Sequence, residues 1–175
     1  MKKHLLLLVP VIAFLAACQS PVEDRVTQTG GGTVLPPSAG GTPQMRDHAL
    51  GGPGSAQDFV TNVGDRVFFE LNRSTLTSDA LVTLDKQVAW LRRYPVVTLT
   101  VEGHADERGT REFNLALGER RAVAVRDYLV SRGVAAPRVT TVSYGKERPV
   151  AVGSNEESWA RNRRAVSVVQ APAGS

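Results

Sequence analysis

The sequence predicts an α/β domain, an α+β sandwich, behind an apolar leader and a glycine-rich approach. Three observations carry this. Runs of β-favouring residues near 66–71, 96–102, 138–144 and 164–169 alternate with helical stretches. Two of those stretches have a helical apolar period with cap residues at their starts. The resulting order, β-α-β-α-β-α-β, calls for a sheet with helices packed against one face. Bulk composition agrees: 42% hydrophobic and 22% charged residues suit a globular chain of 175 residues rather than a disordered one.

The leader comes first. Lys2, Lys3 and His4 precede an apolar run from Leu5 to Ala16, and small residues lead into Cys18. Basic, apolar, then small is the order of a secretory signal peptide, here residues 1–17. The run is shorter than the roughly 18–20 residues that span a bilayer. Leu15-Ala16-Ala17-Cys18 resembles a bacterial lipobox. That resemblance implies cleavage before Cys18 and acylation of its sulfur and of the new amino terminus. Cys18 is the one cysteine of the chain, so no internal disulfide is available, and acylation occupies a thiol otherwise open to oxidation. One acyl chain binds membranes only marginally, whereas two or three anchor stably. By resemblance to enterobacterial lipoproteins, Gln19 in place of Asp implies delivery to the outer membrane.

Residues 18–57 are expected to be the acylated Cys and a flexible tether. Gly30-Gly31-Gly32, Pro36-Pro37, Gly40-Gly41 and Gly51-Gly52-Pro53-Gly54 punctuate the stretch, and no aromatic residue offers a core. A coil of this length spans about 30–35 Å and stretches to about 120 Å. The folded domain is expected over 58–172, with structure beginning near Phe59.

Arg66 to Leu71 reads as the first strand. Thr77 or Ser78 caps a helix with Asp79 in its first turn, and Ala80, Leu81, Leu84, Val88 and Leu91 share one face. Pro95 forbids continuation. Val96 to Glu102 is the second strand, with Val97, Leu99 and Val101 on one side. Gly103 to Gly109 is a loop, and Thr110 caps a helix to about Arg132, where Gly133 stops it. Arg138 to Tyr144 is the third strand. A short helix near Glu156 to Arg161 and a strand from Arg164 to Val169 complete the domain.

The second long helix carries polar residues where a core face expects none. At 100° per residue with Leu117 at zero, Tyr128, Val125, Ala124 and Phe113 form an apolar stripe, and Arg121 and Asn114 lie inside it. A core-facing arginine is rarely buried unless paired, so the helix asks for a carboxylate opposite Arg121. The loop before it offers one. His104-Ala105-Asp106-Glu107-Arg108 is dense in polar groups, and Asp106 falls near the helix N-terminus, where a carboxylate is favoured. One reading is an ion pair that only orients the loop. The other is a cleft with one anionic and one cationic wall, suited to a zwitterion whose ammonium meets Asp106 and whose carboxylate meets Arg121.

Other functions are disfavoured. The formal charge of +4 falls to +2 without Lys2 and Lys3, too mild for a nucleic-acid surface. Of three histidines only His104 lies in the domain, so neither a His-rich metal site nor a cofactor is expected. His104, Asp106 and Glu107 lack a placed partner base for hydrolysis, and no enzymatic activity is expected. A motor or secretion-system anchor usually adds a spanning helix, which this sequence does not show.

The motifs then become recognisable. Thr100 to Thr110, Asn114 to Ala122, Val142 to Pro149 and Asn162 to Val166 together resemble the OmpA-like domain family, in its peptidoglycan-associated lipoprotein (Pal) branch. The resemblance covers about Val67 to Val169. It implies a mixed sheet and a non-covalent grip on the meso-diaminopimelate of the peptidoglycan stem peptide. Carried over residue by residue, it assigns Asp106 to the ammonium and Arg121 to the carboxylate. Asn114 and Leu117 support them from the helix, Phe69 lines the pocket from the first-strand motif, and His104 and Ala105 belong to the same motif. The family further implies partnership with the periplasmic β-propeller and other proteins of the Tol system. The implied role is to hold the outer membrane to the wall, notably during cell division, from a lipid anchor facing the periplasm. A scaffold whose cleft serves mainly a protein partner is the alternative. The chain departs from the family pattern at Asn72 (usually Asp), Arg111 (often Pro) and Phe113 (commonly Tyr).

Overall fold

The computed structural model describes residues 51–170. The expected signal peptide, Cys18 and the tether up to residue 50 lie outside the described residues.

Among the described residues, helical structure is present just before residue 58, the expected start of the domain. Helix α1 (Ala56–Asp58) runs into a π-helical turn (Phe59–Val63), and the Ser55 hydroxyl caps it by accepting from the Asp58 N–H at 3.0 Å. Phe59 anchors this segment, fully buried edge-on against Trp90. Strand β1 (Arg66–Phe68) is half the expected length. The Phe69 N–H leaves the ladder to donate to the Arg163 carbonyl, and the chain turns back through Arg73 N–H to Glu70 carbonyl. Asn72 sits in that turn at φ +54°, a conformation Asn tolerates better than other side-chain-bearing residues.

Helix α2 (Ser78–Arg93) starts at Thr77, whose hydroxyl accepts from the Ala80 N–H. It buries Ala80, Leu84, Val88, Trp90 and Leu91. Strand β2 (Thr98–His104) runs two residues further than the sequence indicated. Helix α3 (Arg111–Ser131) is capped by Thr110 and stops at Gly133, which takes φ +94°. A 3₁₀ turn (Ala136–Arg138), strand β3 (Val139–Gly145), helix α4 (Glu156–Asn162) and strand β4 (Arg164–Gln170) follow.

The expected mixed sheet is present, in the order β1-β4-β2-β3. β4 is antiparallel to both β1 and β2, and β2 pairs parallel with β3 across α3. Val67, Leu99, Val101, Val139 and Ala165 meet Leu84, Leu91, Ala122, Val125 and Leu129 in one core, so α2 and α3 cover the same face. Each fully buried leucine there contributes about 1.5–3 kcal/mol. Thr100 and Thr140, their hydroxyls 3.0 Å apart, belong to the other face.

Candidate functional site

The site gathers where β2 ends and α3 begins. Helix and strand touch backbone to backbone there. A methyl group on Gly103 would overlap the Gly118 carbonyl, and one on Gly118 would crowd the Ser143 hydroxyl. This close approach lays the polar stripe of α3 against the loop leaving β2.

Arg121 is wholly buried, as its place in the apolar stripe predicts. Its partner corrects the sequence reading, because no carboxylate among the described residues binds it directly. Nε donates to the Arg73 carbonyl at 2.9 Å, Nη1 to the His104 carbonyl at 2.7 Å and Nη2 to the Glu70 carbonyl at 3.1 Å. The guanidinium thus ties the turn after β1 to the end of β2, and its carbon lies 5.1 Å from the centre of the Phe69 ring. Burial lowers its pKa to about 10, against the opposing influence of the Asp106 charge, so it stays charged at neutral pH.

Asp106 is 5% exposed and carries two cations. Arg108 Nη2 donates to Oδ2 at 2.6 Å and Arg108 Nε to Oδ1 at 3.2 Å. Arg163 Nη1 stands 3.6 Å from Oδ2. Burial alone would raise this carboxyl's pKa, but the hydrogen bonds from Arg108 and the charges of both arginines outweigh it and hold the pKa below its ordinary value. Asp106 lies near the start of α3 but does not cap it. It accepts from the Arg108 N–H at 3.1 Å, and the cap is Thr110, which accepts from the Phe113 N–H.

The remaining expected residues surround this pair. Asn114 is buried and donates to the Arg108 carbonyl at 2.8 Å, pinning the loop from α3. Leu117 is buried one turn along the same helix. Ala105 donates its N–H to the Gly145 carbonyl at 2.8 Å. His104 is buried with neither ring nitrogen hydrogen-bonded, beside Tyr144 and 3.6 Å from Glu102. Burial, helped by the charges of Arg164 and Arg148, pushes its pKa down to about 4, so the ring is neutral and forms no ion pair. Phe69 is buried, and its carbonyl accepts from Arg163 Nε at 3.0 Å.

All seven residues expected from the sequence therefore meet in one region, and all are buried. The sequence reading assigned no role to two arginines of the same cluster. Arg163 was visible only within the Asn162-Arg163-Arg164 motif. Its Nη1 has no hydrogen bond, and with Phe69 it lines a surface groove of about 580 Å³ beside β1. Arg108 lies over the Trp159 ring at 4.0 Å, and neither Trp159 nor Glu156 has a local sequence signal pointing to Asp106. Of the departures from the family pattern, Arg111 pairs with Glu147 at 3.2 Å, while Phe113 is exposed. Among the described residues no group of three His, Cys, Asp or Glu side chains is placed to hold a metal ion, and no helix is long and apolar enough to cross a membrane.

The OmpA family pattern matches residues 68–163, from the end of β1 to the foot of β4. The chain belongs to the OmpA family. Within it, a protein of Brucella melitensis called peptidoglycan-associated lipoprotein is 62% identical over 117 residues, covering 67% of this chain and 70% of that one. One of the same name from Pasteurella multocida is 40% identical over 168 residues, 95% of this chain and 98% of its own. The crystal structure of the peptidoglycan-associated lipoprotein from Burkholderia pseudomallei superposes with a TM-score of 0.61 at 39% identity, covering 69% of this chain and 98% of that one. The C-terminal domain of MotB from Helicobacter pylori, at 22% identity and TM-score 0.58, shares the OmpA-like fold.

Proposed function

We propose that this OmpA-family protein is an outer-membrane lipoprotein that binds peptidoglycan without cleaving it, gripping the diaminopimelate end of a stem peptide at Asp106 and Arg121. In this reading residues 1–17 are the signal peptide, Cys18 is acylated, residues 18–57 reach from the membrane, and the domain at 58–172 faces the periplasm. The protein then joins outer membrane to wall within the Tol-Pal system and supports envelope integrity and division. Relatives with this domain carry the name peptidoglycan-associated lipoprotein, which supports the wall as the target.

The observation that carries the reading is the meeting of opposite charges at one loop. Arg121 holds the carbonyl of His104, two residues from Asp106, and the Asp106 charge is felt at Arg121. A low-polarity site with both signs fixed suits a ligand that is itself a zwitterion. Three donations from Arg121 to carbonyls use three of its five N–H groups, and the side chain is wholly buried. Phe69, Asn114 and Leu117 form the supporting walls, with His104 and Ala105 fixing the loop. The chemistry is recognition alone and requires no cofactor.

The test is co-sedimentation of the mature protein with purified sacculi, in the absence of any Tol protein. Wild type is expected in the pellet and Asp106→Asn in the supernatant, with no soluble muropeptides released by either. Equal sedimentation of the two would remove Asp106 from the site. Retention only when a Tol partner is added would favour the protein-scaffold alternative.

A further inference from the structure

We propose that Arg108 occupies the ammonium subsite beside Asp106, so that wall peptide binds by displacing the Arg108 guanidinium from Asp106 onto Glu156. The inference rests on the reading of Asp106 as the ammonium acceptor, and it resolves a difficulty in that reading. Every residue assigned to the grip is buried, yet a ligand must reach the carboxylate.

Four observations support a movable plug. First, Arg108 contacts both carboxylate oxygens, at 2.6 and 3.2 Å, as the N–H groups of a bound cation would. Second, its side chain is 33% exposed while that of Asp106 is 6% exposed, so solvent reaches Arg108 far more readily than the carboxylate it holds. Third, the Arg108 backbone is held at both ends, its N–H by Asp106 and its carbonyl by Asn114. Motion is thereby confined to the side chain, which is long and readily rotated. Fourth, a second carboxylate is already in reach. Glu156 stands 4.0 Å from Arg108 Nη1 and is largely exposed. Glu156 Oε1 already accepts from Arg163 Nη2 at 2.6 Å, so transfer pairs the Arg108 guanidinium with Oε2, and Arg163 remains beside Asp106 in either state.

Such a plug sets a threshold for ligands. An ammonium that does not bring its own carboxylate must replace a charge-assisted double hydrogen bond unaided. A zwitterion recovers more through Arg121. The plug also lowers apparent affinity by the fraction of molecules in which it is closed.

Trp159 provides a reporter. Its ring lies under the Arg108 guanidinium, and its Nε1 donates to Glu107 at 3.0 Å. The other tryptophan, Trp90, donates to Asp58 and packs against Phe59 on a different part of the domain. The experiment titrates the mature protein with the tripeptide L-Ala-γ-D-Glu-meso-diaminopimelate. It follows both indole N–H resonances by NMR and measures affinity for wild type, Arg108→Gln and Asp106→Asn. Binding is expected to move the Trp159 resonance and leave that of Trp90 in place, and Arg108→Gln is expected to bind about tenfold more tightly than wild type. Unchanged or weaker binding by Arg108→Gln, with binding lost in Asp106→Asn, would overturn the plug and leave the Asp106 reading standing. A saturated wild type with an unmoved Trp159 resonance would do the same. Wild-type affinity in Asp106→Asn would sink the functional reading itself, and the plug with it.

Discussion

Arg121 carries a full guanidinium into the apolar face of α3, and three backbone carbonyls make that burial tolerable. Two come from the turn after β1, residues 70 and 73, and one from residue 104 at the end of β2, so one side chain closes the base of the site. Replacing it with Met would leave those carbonyls without a buried donor. The expected loss is at least about 3 kcal/mol in urea-induced unfolding. Asp106→Asn takes the charge from beside Arg108 and the buried Arg163, so it too is expected to lose stability, by about 1–3 kcal/mol. Loss of wall binding in variants of either residue therefore needs a stability measurement beside it.

His104 makes a pH prediction of the same scale. Its folded pKa of about 4 lies below the ordinary value of 6.5. As pH falls, the unfolded chain takes up the proton first, so folded-state stability is complete above pH 6.5 and is lost progressively down to about pH 4. At 1.36 kcal/mol per unit the loss is roughly 3 kcal/mol. His104→Gln has no titrating ring, and its stability between pH 7 and 4 should fall by correspondingly less. Parallel curves for the two proteins would show that the ring is not the source.

At the scale of elements, the contact between β2 and α3 aligns the site. Gly103→Ala sets a methyl group against the Gly118 carbonyl, which cannot yield without lifting the helix. A loss of about 3 kcal/mol is expected, with weaker peptide binding even where the domain still folds. Thermal unfolding paired with calorimetric titration would show both.

The long helices were legible because their signals are local. Thr77 and Thr110 cap, Pro95 and Gly133 stop, and the apolar period falls between. The burial of Asn114 and Arg121 followed from the same period. The answer to Arg121 was not legible, because backbone carbonyls have no sequence identity and two of its three come from the turn after β1. The shortening of β1 has a similar cause: Phe69 is β-favouring but is drawn to the Arg163 carbonyl, 94 residues on. Helix α1 hid within glycine-rich composition, where a single buried Phe59 organises the turn. Arg108 was in view as one polar residue among several, and only its distances to Asp106 and Trp159 distinguish it.

For the whole molecule, the proposed anchor and the proposed grip are separable. Cys18→Ser is expected to move the protein from the membrane fraction to the soluble fraction and to leave sacculus binding intact. Recovery of that variant in salt-washed membranes would refute the lipid anchor. The tether expected between them spans about 30–35 Å as a coil, so shortening it should impair joining of membrane to wall without altering the affinity of the isolated contact.

The most direct measurement is calorimetric titration of the mature protein with L-Ala-γ-D-Glu-meso-diaminopimelate, alongside the analogue with L-lysine in place of diaminopimelate, for wild type and Asp106→Asn. A zwitterion held by two fixed charges predicts that wild type prefers the diaminopimelate peptide and that Asp106→Asn weakens it roughly thirtyfold or more. Equal affinity of wild type for both peptides, or of both proteins for the diaminopimelate peptide, would contradict it.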